Sequence, residues 1–192
     1  MVNLQEVDWS TLPEPRDDGN AHHLSGVVMP NIDLPSTGGG KVNLGDLCGW
    51  NVLFFYPMTG QPDLPLPDNW DNIPGARGCT PQSCAFRDLS QELADRGVSA
   101  VYGISTQSTE YQMEATNRLH LPFALLSDAD LKLTNSLRLP TFVVNGMVLI
   151  KRLTLVIHNA EVKRLFYPVF PPDQNPSEVL KFLESCQRKS VI

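Results

Sequence analysis

The sequence predicts one α/β domain in which helices flank a central mixed β-sheet. A continuous apolar run at 51–56 and a second, largely apolar segment at 98–105 are typical of buried central strands. The intervening segment 81–96 instead repeats its apolar residues with the period of an amphipathic helix. Strands that alternate with helices favour an α/β architecture, and 192 residues suffice to bury a core without metal or disulfide cross-links.

The N-terminal residues are polar, contain prolines and show no periodicity. We interpret 1–25 as an arm that lies over the surface of a domain at 26–192. The patterns that follow predict a short strand, a glycine turn, a helical turn and a buried strand, at 27–34, 36–41, 44–47 and 51–56.

A long segment rich in proline and glycine follows at 57–78 and contains Trp70. Loops longer than about 12–15 residues inside a compact domain are usually functional or disordered. The tryptophan and several leucines in this loop predict that it packs against the domain. Helix 81–96 comes next, with Thr80 suited to its cap and Pro81 to its first position.

The C-terminal half contains further short strands and helices after the strand at 98–105. Its helices are predicted at 108–119, 130–137 and 177–187, and its strands at 123–128, 141–144, 147–157 and 161–167. This order of elements predicts an α/β sandwich of the thioredoxin-like kind, with right-handed crossovers.

The charge and hydropathy of the chain argue against several classes of function. The net charge is −6 and no cluster of Lys and Arg is present, so we expect no nucleic-acid partner. No apolar run approaches the roughly 20 residues that a membrane-spanning helix needs. The N-terminal residues do not resemble a secretory signal. We therefore expect a cytoplasmic protein.

The cysteines are the most informative residues of the sequence. Four cysteines, Cys48, Cys79, Cys84 and Cys186, are too few for a disulfide framework in a chain of this length. Cys79 and Cys84 lie five positions apart, where a glycine-rich loop gives way to a helix. The N–H groups and partial positive charge of a helix N-terminus favour a thiolate. We therefore expect Cys79 to be a nucleophile whose oxidised product Cys84 captures.

The residues around these cysteines resemble the motif of a known family. Residues 56–57 read YP and residues 78–88 read GCTPQSCAFRD. This pattern is similar to that of peroxiredoxins of the AhpC-TSA family, and especially of the Q type, also called bacterioferritin-comigratory proteins. The resemblance runs from about Pro30 to Leu183. It implies an antioxidant thiol peroxidase that reduces hydrogen peroxide or organic hydroperoxides without a cofactor, and a thioredoxin- or glutaredoxin-like reductant.

The resemblance also implies roles for individual residues. Cys79 would attack the peroxide, and Cys84 would resolve the sulfenic acid to an intramolecular disulfide. Residues 152–157 match a strand that reads Arg-x-Thr/Ser-Phe-Leu-Ile in the family, which would place Arg152 beside the thiolate. The alternatives are that Cys84 is an inert buried thiol and that Arg152 is a surface residue paired with a carboxylate. Relative to the family, an insertion at about 58–78 precedes the nucleophile.

The chain departs from the family at two positions of the substrate pocket. The family has a proline and a threonine seven and three positions before the nucleophile, where this sequence has Asn72 and Ala76. Pro57 and Thr59 occur earlier, directly after the buried strand. We expect the insertion to loop out, so that both residues still line the pocket and the Thr59 hydroxyl orients the peroxide. Thr80 is the alternative for that role.

Two other functions are compatible with the sequence. One is a metal carrier that uses both cysteines, with His120 and His158 as the candidate histidines, although metal sites prefer a Cys-x₂₋₄-Cys spacing. The other is a redox sensor that lacks efficient peroxidase turnover. For the peroxidase we expect a monomer or a weak homodimer and no bound metal.

The spacing of the two cysteines predicts a conformational change. Five residues of a regular helix place two Cα atoms roughly 8–9 Å apart, whereas a disulfide needs about 4.4–6.8 Å. Cys79 and Cys84 can therefore bond only if the helix unwinds locally, over about 79–85.

Overall fold

The structure is a computed structural model that describes residues 7–62 and 64–189. Of residue 189 it describes the backbone alone. The first six residues of the predicted arm and the last three of the predicted domain lie outside the described residues. The strands are β1 (Asp33–Pro35), β2 (Lys41–Asn43), β3 (Trp50–Phe55), β4 (Val98–Ser105), β5 (Leu125–Ser127), β6 (Thr141–Val144), β7 (Met147–Ile150), β8 (Leu153–His158) and β9 (Glu161–Phe166). The helices are α1 (Cys79–Asp88), α2 (Ser90–Asp95), α3 (Thr109–Leu119), α4 (Lys132–Leu137) and α5 (Asn175–Lys189).

Five strands form a central sheet in the order β5-β4-β3-β8-β9. Strand β3 pairs in parallel with β4 and antiparallel with β8, so the sheet is mixed as predicted. Its side chains alternate between two buried layers. Val52 and Phe54 pack with Phe86 of α1 on one face, and Leu53 and Phe55 pack into the second layer on the other face. The predicted α/β fold with helices around a mixed sheet is therefore confirmed.

The prediction of one helix over 81–96 with Thr80 as its cap is wrong about where the helix begins and about its being a single helix. Helix α1 begins at Cys79, and its N-cap is Gly78, whose φ of 106° lies in the left-handed region that glycine adopts without strain. Among the residues that the structure describes, no side chain caps the helix, and Thr80 lies within its first turn. The chain leaves helical geometry at Leu89, with φ −101° and ψ 14°, so α1 and α2 are separate helices.

Two predicted strands are also shorter than expected. The predicted strand 147–157 is divided, because β7 pairs with β6 in a separate hairpin whereas β8 joins the central sheet. The break between them falls at residues 151–152. The predicted strand 27–34 contains a proline that lacks an N–H donor, and only its end forms β1, which pairs with β2.

The predicted arm and the predicted insertion both pack on the domain. Ala21 and Leu24, near the end of the arm, are fully buried in the main core. Trp70 of the insertion is 4% exposed and belongs to a small apolar cluster with Met58 and Leu149. The expectation that this loop packs down is confirmed. Within the described part of the chain, no helix has both the length and the apolarity to cross a bilayer.

Candidate active site

The sheet register brings three distant segments together at one end of β3. Phe55, the last residue of β3, pairs with Leu153, the first residue of the antiparallel strand β8. Arg152 therefore lies just beyond the carboxyl end of β3. Helix α1 begins at the same end and packs against the β3 layer through Cys79 and Phe86. The mixed topology of the sheet thus places a cysteine and an arginine side by side although 73 positions separate them.

Arg152 and Cys79 are in direct contact. The Nη2 of Arg152 lies 3.2 Å from the Sγ of Cys79, and the carbonyl oxygen of Ala76 lies 3.6 Å from the same sulfur. Both Arg152 and Cys79 are only 3% exposed. Because water is nearly excluded, the guanidinium stabilises negative charge on the sulfur more strongly than it would in solvent. The proximity that the sequence resemblance implied is found in the structure.

The N-terminus of α1 adds two further donors beside the sulfur. The first N–H groups of a helix have no intrahelical partner, and no side chain caps α1. Pro81 has no N–H, and the N–H of Gln82 donates to the carbonyl oxygen of Gly78. The N–H groups of Cys79 and Thr80 therefore remain available for an anion or a polar ligand, at the positive end of the helix.

A buried polar network fixes the Arg152 guanidinium. Its Nη1 donates to the side-chain carbonyl of Gln82, and the amide of Gln82 donates to Oδ1 of Asn175 at 3.2 Å. Thr154 donates to the same Oδ1 at 2.6 Å. In addition, Nη2 donates to the main-chain carbonyls of residues 75–77 at 3.2–3.3 Å. Among the described residues no carboxylate pairs with Arg152, so the predicted alternative of a surface ion pair is not what the fold forms.

Gln82 and Asn175 are site residues that the sequence analysis did not single out. Gln82 could have been found, because a residue three positions after Cys79 on a helix lies on a neighbouring face. Asn175 begins α5, and its contact with Gln82 spans 93 positions, so no local pattern could have indicated it.

Cys84 lies on the same helix as Cys79, and the two sulfurs are not joined. Cys84 is half-buried, and this burial raises the pKa of its thiol above the usual value, although the positive charge of Arg87 acts in the opposite direction. The thiol is therefore protonated at neutral pH in the folded helix. As the continuous helix keeps the two residues more than a turn apart, disulfide formation requires a change in α1.

The three candidate substrate residues lie in different surroundings. Pro57 and Thr59 are buried after β3, and the Thr59 hydroxyl lies 3.3 Å from Oε1 of Gln107, to which it donates. Thr80 instead lines a small cavity beside Cys79, which neither Pro57 nor Thr59 lines. Within the described residues, the Thr80 hydroxyl has no protein hydrogen-bond partner in the structure. The arrangement brings Thr80, but not Thr59, to the cavity beside the sulfur.

The insertion closes the cavity beside Cys79. Met58, Leu66 and Trp70 form its apolar wall opposite the start of α1. Its volume is about 10 Å³, which is at most the space that one water molecule requires. A hydroperoxide is larger than water. The cavity as it stands therefore leaves little room for a hydroperoxide beside the sulfur, and displacement of the insertion would enlarge it.

The described residues contain no cluster of side chains that is typical of a metal site. No set of three or more His, Cys, Asp and Glu side chains among them is arranged to hold a metal ion. Cys48 is exposed and lies outside the site, near the start of β3. Within this part of the chain, the structure therefore offers the metal-carrier alternative no site with three or more such ligands.

Comparison with known sequences reveals related proteins. The sequence matches the family described as Redoxin over residues 24–183. Peroxiredoxin Bcp of Escherichia coli is 37% identical over 107 residues, which cover 55% of this chain and 58% of that protein. The chloroplastic Peroxiredoxin Q of Gentiana triflora is 30% identical over 163 residues, which cover 84% of this chain and 67% of that protein. The chain therefore spans less than two thirds of the bacterial relative.

Solved structures share the fold. Peroxidoxin BcpB from Mycobacterium tuberculosis superposes with a TM-score of 0.68 at 27% identity, covering 84% of this chain and 96% of that one. A mutant of PrxQ from Xylella fastidiosa has a TM-score of 0.69 at 21% identity, covering 85% of this chain and 96% of that one. The superposition supports the thioredoxin-like assignment of the sandwich.

Shortening Trp70 should expose the sulfur of Cys79. We expect Trp70→Ala to accelerate alkylation of Cys79 by iodoacetamide about tenfold or more, because truncating a buried aromatic side chain leaves a cavity in the wall. Peptide mass spectrometry measures the rate at each cysteine, and exposed Cys48 serves as the internal reference. Trp50→Ala, at the opposite end of β3, is the matched control. An unchanged rate at Cys79 in Trp70→Ala would show that the insertion does not limit access.

Oxidation should unwind the first part of α1. We expect the amides of Gln82, Ser83 and Cys84 to exchange with solvent faster in the disulfide form than in the dithiol form, whereas those of α5 stay protected. Hydrogen-exchange mass spectrometry of both redox forms measures the difference. Equal protection of α1 in the two forms would contradict the geometric argument.

Proposed function

Because this chain belongs to the redoxin family, as a peroxiredoxin of the Q type, we propose that it is a thiol-dependent peroxidase with Cys79 as its nucleophile. The observation that carries the proposal is the contact of 3.2 Å between Arg152 Nη2 and Cys79 Sγ at an uncapped helix N-terminus. A guanidinium and backbone N–H donors at a buried sulfur are what attack on a peroxide requires.

In the first step, the thiolate of Cys79 attacks the terminal oxygen of a hydroperoxide. An S–O bond forms as the O–O bond breaks, and the departing oxygen takes up a proton and leaves as water or an alcohol. The sulfur loses two electrons and becomes a sulfenic acid, while the peroxide gains them. Arg152 and the N–H groups of Cys79 and Thr80 are placed to stabilise the charge that develops on the oxygens.

In the second step, Cys84 resolves the sulfenic acid. Its sulfur attacks the sulfur of Cys79, an S–S bond forms as the S–O bond breaks, and the oxygen leaves as water. Burial raises the pKa of Cys84 in the folded helix, so its attacking thiolate is scarce at neutral pH. Unwinding of α1 would bring the sulfurs together and expose Cys84, which removes the cause of the raised pKa. The structural change and the activation of Cys84 are thus one event.

A dithiol partner would complete the cycle by reducing the exposed disulfide. A thioredoxin- or glutaredoxin-like protein suits this exchange, since it attacks through a thiolate and needs access to one sulfur. A cytoplasmic location and a monomer or weak homodimer, both expected from the sequence, belong to the same proposal. Size-exclusion chromatography with light scattering tests the oligomeric state.

The test of the proposal is peroxide-dependent oxidation of NADPH, coupled through thioredoxin and its reductase. We expect Cys79→Ser to abolish turnover and Cys84→Ser to retain one oxidation per chain. Arg152→Gln should lower kcat/KM about 10²–10³-fold, the usual effect of removing one donor from a developing charge. Cys48→Ser is the control, as this thiol is exposed and distant from the site.

Full turnover by Cys79→Ser would refute the assignment of the nucleophile. Oxidation of Cys79 by peroxide without any coupled turnover would favour the alternative, a thiol redox sensor. Thiol trapping and mass spectrometry after one equivalent of hydroperoxide distinguish these cases, because they identify the sulfur that reacts first and its partner.

A second prediction separates the two candidate threonines. We expect Thr80→Val to lower kcat/KM about tenfold, because a valine has no hydroxyl to hydrogen-bond the peroxide, with little change in stability. Thr59→Val should instead lower the midpoint of thermal unfolding, since it removes a buried hydrogen bond to Gln107, and should leave peroxide turnover nearly unchanged. Unaltered turnover in both variants would exclude both threonines as substrate groups.

A further inference from the structure

The N-terminal arm lies directly against the residue that precedes the nucleophile. A Cβ atom added to Gly78 would meet the Trp9 ring at 2.9 Å and Pro172 Cγ at 2.7 Å, so the indole packs on the Gly78 backbone. A Cβ added to Gly75 would meet Pro15 at 3.4 Å. The arm therefore touches the loop before Cys79 at two glycines. Both arm residues precede the part of the chain that matches the redoxin family, residues 24–183.

The position of Trp9 is fixed by specific contacts. Its Nε1 donates to Oδ2 of Asp173 at 3.1 Å, and its ring meets Phe170 edge-on with centroids 6.0 Å apart. Farther along the arm, Asp18 accepts from Lys151 at 2.6 Å and from Tyr167 at 2.7 Å. The arm is thus attached on both sides of the Gly75–Gly78 loop. The residues of the domain that the arm contacts lie next to Arg152 and just before α5 in the sequence.

The contact between Trp9 and Gly78 depends on the wound state of α1. Gly78 is the N-cap, and its carbonyl accepts from the N–H of Gln82 in the first turn of the helix. Joining Cys79 to Cys84 requires this turn to open, which displaces Gly78 from beneath the indole. The same movement breaks the hydrogen bond between Gln82 and Arg152. Any free energy that Trp9 contributes through this contact therefore favours the wound form over the unwound form.

We propose that Trp9 is a positioning residue that holds the start of α1 wound, so that Cys79 stays beside Arg152 and disulfide formation with Cys84 is delayed. The effect on the cycle rests on the proposed peroxidase function, whereas the effect on the helix does not. Removing the indole should act differently on the two chemical steps. Attack on the peroxide needs the wound form and should be unchanged or slower, while resolution needs the unwound form and should be faster.

The first experiment measures the helix without any peroxide. In the reduced protein, Trp9→Ala should raise the exchange rates of the Gln82, Ser83 and Cys84 amides about tenfold, within the usual range for loss of one packing contact. Trp9→Phe keeps a smaller aromatic ring but loses both the bond to Asp173 and the Cη2 and Cζ3 atoms that lie nearest Gly78, and should give rates between those of Trp9→Ala and the unaltered protein. Trp50→Ala is the control, because its ring packs on His158 and Phe182 at the opposite end of β3 from the first turn of α1.

The second experiment measures the two steps separately. In the Cys84→Ser background, the rate at which the Cys79 thiol is lost on adding hydrogen peroxide reports the attack alone. With both cysteines present, quenched mass spectrometry reports disulfide formation, which Trp9→Ala should accelerate about tenfold. With excess peroxide, a second peroxide oxidises the sulfenic acid to a sulfinic acid, leaving water. Because faster resolution competes with that reaction, Trp9→Ala should accumulate less sulfinic acid.

The outcomes separate this inference from the proposed function. Unchanged amide exchange rates of α1 in Trp9→Ala would overturn the positioning role. An equal rise of the exchange rates in α1 and α5 would overturn it too, because it would report general destabilisation of the protein. Slower or unchanged disulfide formation in Trp9→Ala would overturn it as well. If Cys79 does not react with peroxide in the unaltered protein, the peroxidase proposal fails, and the exchange experiment still decides whether Trp9 holds the helix.

Discussion

The site depends on a buried guanidinium that has no carboxylate partner among residues 7–62 and 64–188. Burying an unpaired charge is costly, so the fold must compensate Arg152 with dipoles and with the sulfur of Cys79. The carbonyls of residues 75–77, the side chain of Gln82 and the sulfur all converge on its two terminal nitrogens. The conformation of the loop before Cys79 and the start of α1 are therefore coupled. A change in either one removes part of the compensation that keeps Arg152 in place.

Helix α1 serves two requirements that oppose each other. Its wound N-terminus gives Cys79 the guanidinium and the free N–H groups, and it also keeps Cys84 too far away to form a bond. Gly78 suits both requirements, since its left-handed conformation begins the helix without a side-chain cap that would have to be broken. In the proposed cycle, the stability of this turn therefore affects how fast Cys84 can reach the sulfenic acid. It thereby affects how much sulfenic acid forms a disulfide and how much is oxidised further.

Two segments act on this turn from different sides. The insertion lines the small cavity beside the sulfur through Trp70, which packs with Met58 and Leu149. The arm instead rests on Gly78 through Trp9 and governs the freedom of the helix to open. The contacts of Trp70 with Met58 and Leu149 are apolar. Trp9 in addition donates a hydrogen bond to Asp173, so displacing the indole from Gly78 also requires that bond to break or to shift.

The sequence alone predicted the fold class from its periodicity, and it singled out Cys79 and Cys84 from their spacing at the start of a helix. Arg152 was implied only by the resemblance to peroxiredoxins, and the tertiary structure places it in contact with Cys79. The predicted start of α1 was two positions too late, because Thr80 and Pro81 also suit a cap and a first helical position, and only the left-handed backbone of Gly78 decides the boundary. The tertiary structure alone decided that Thr80 lines the cavity, that Thr59 bonds to Gln107, and that Asn175 and Trp9 reach the site. These are contacts between residues far apart in the chain, and they follow from how the sheet, the insertion and the arm pack, which no local pattern records.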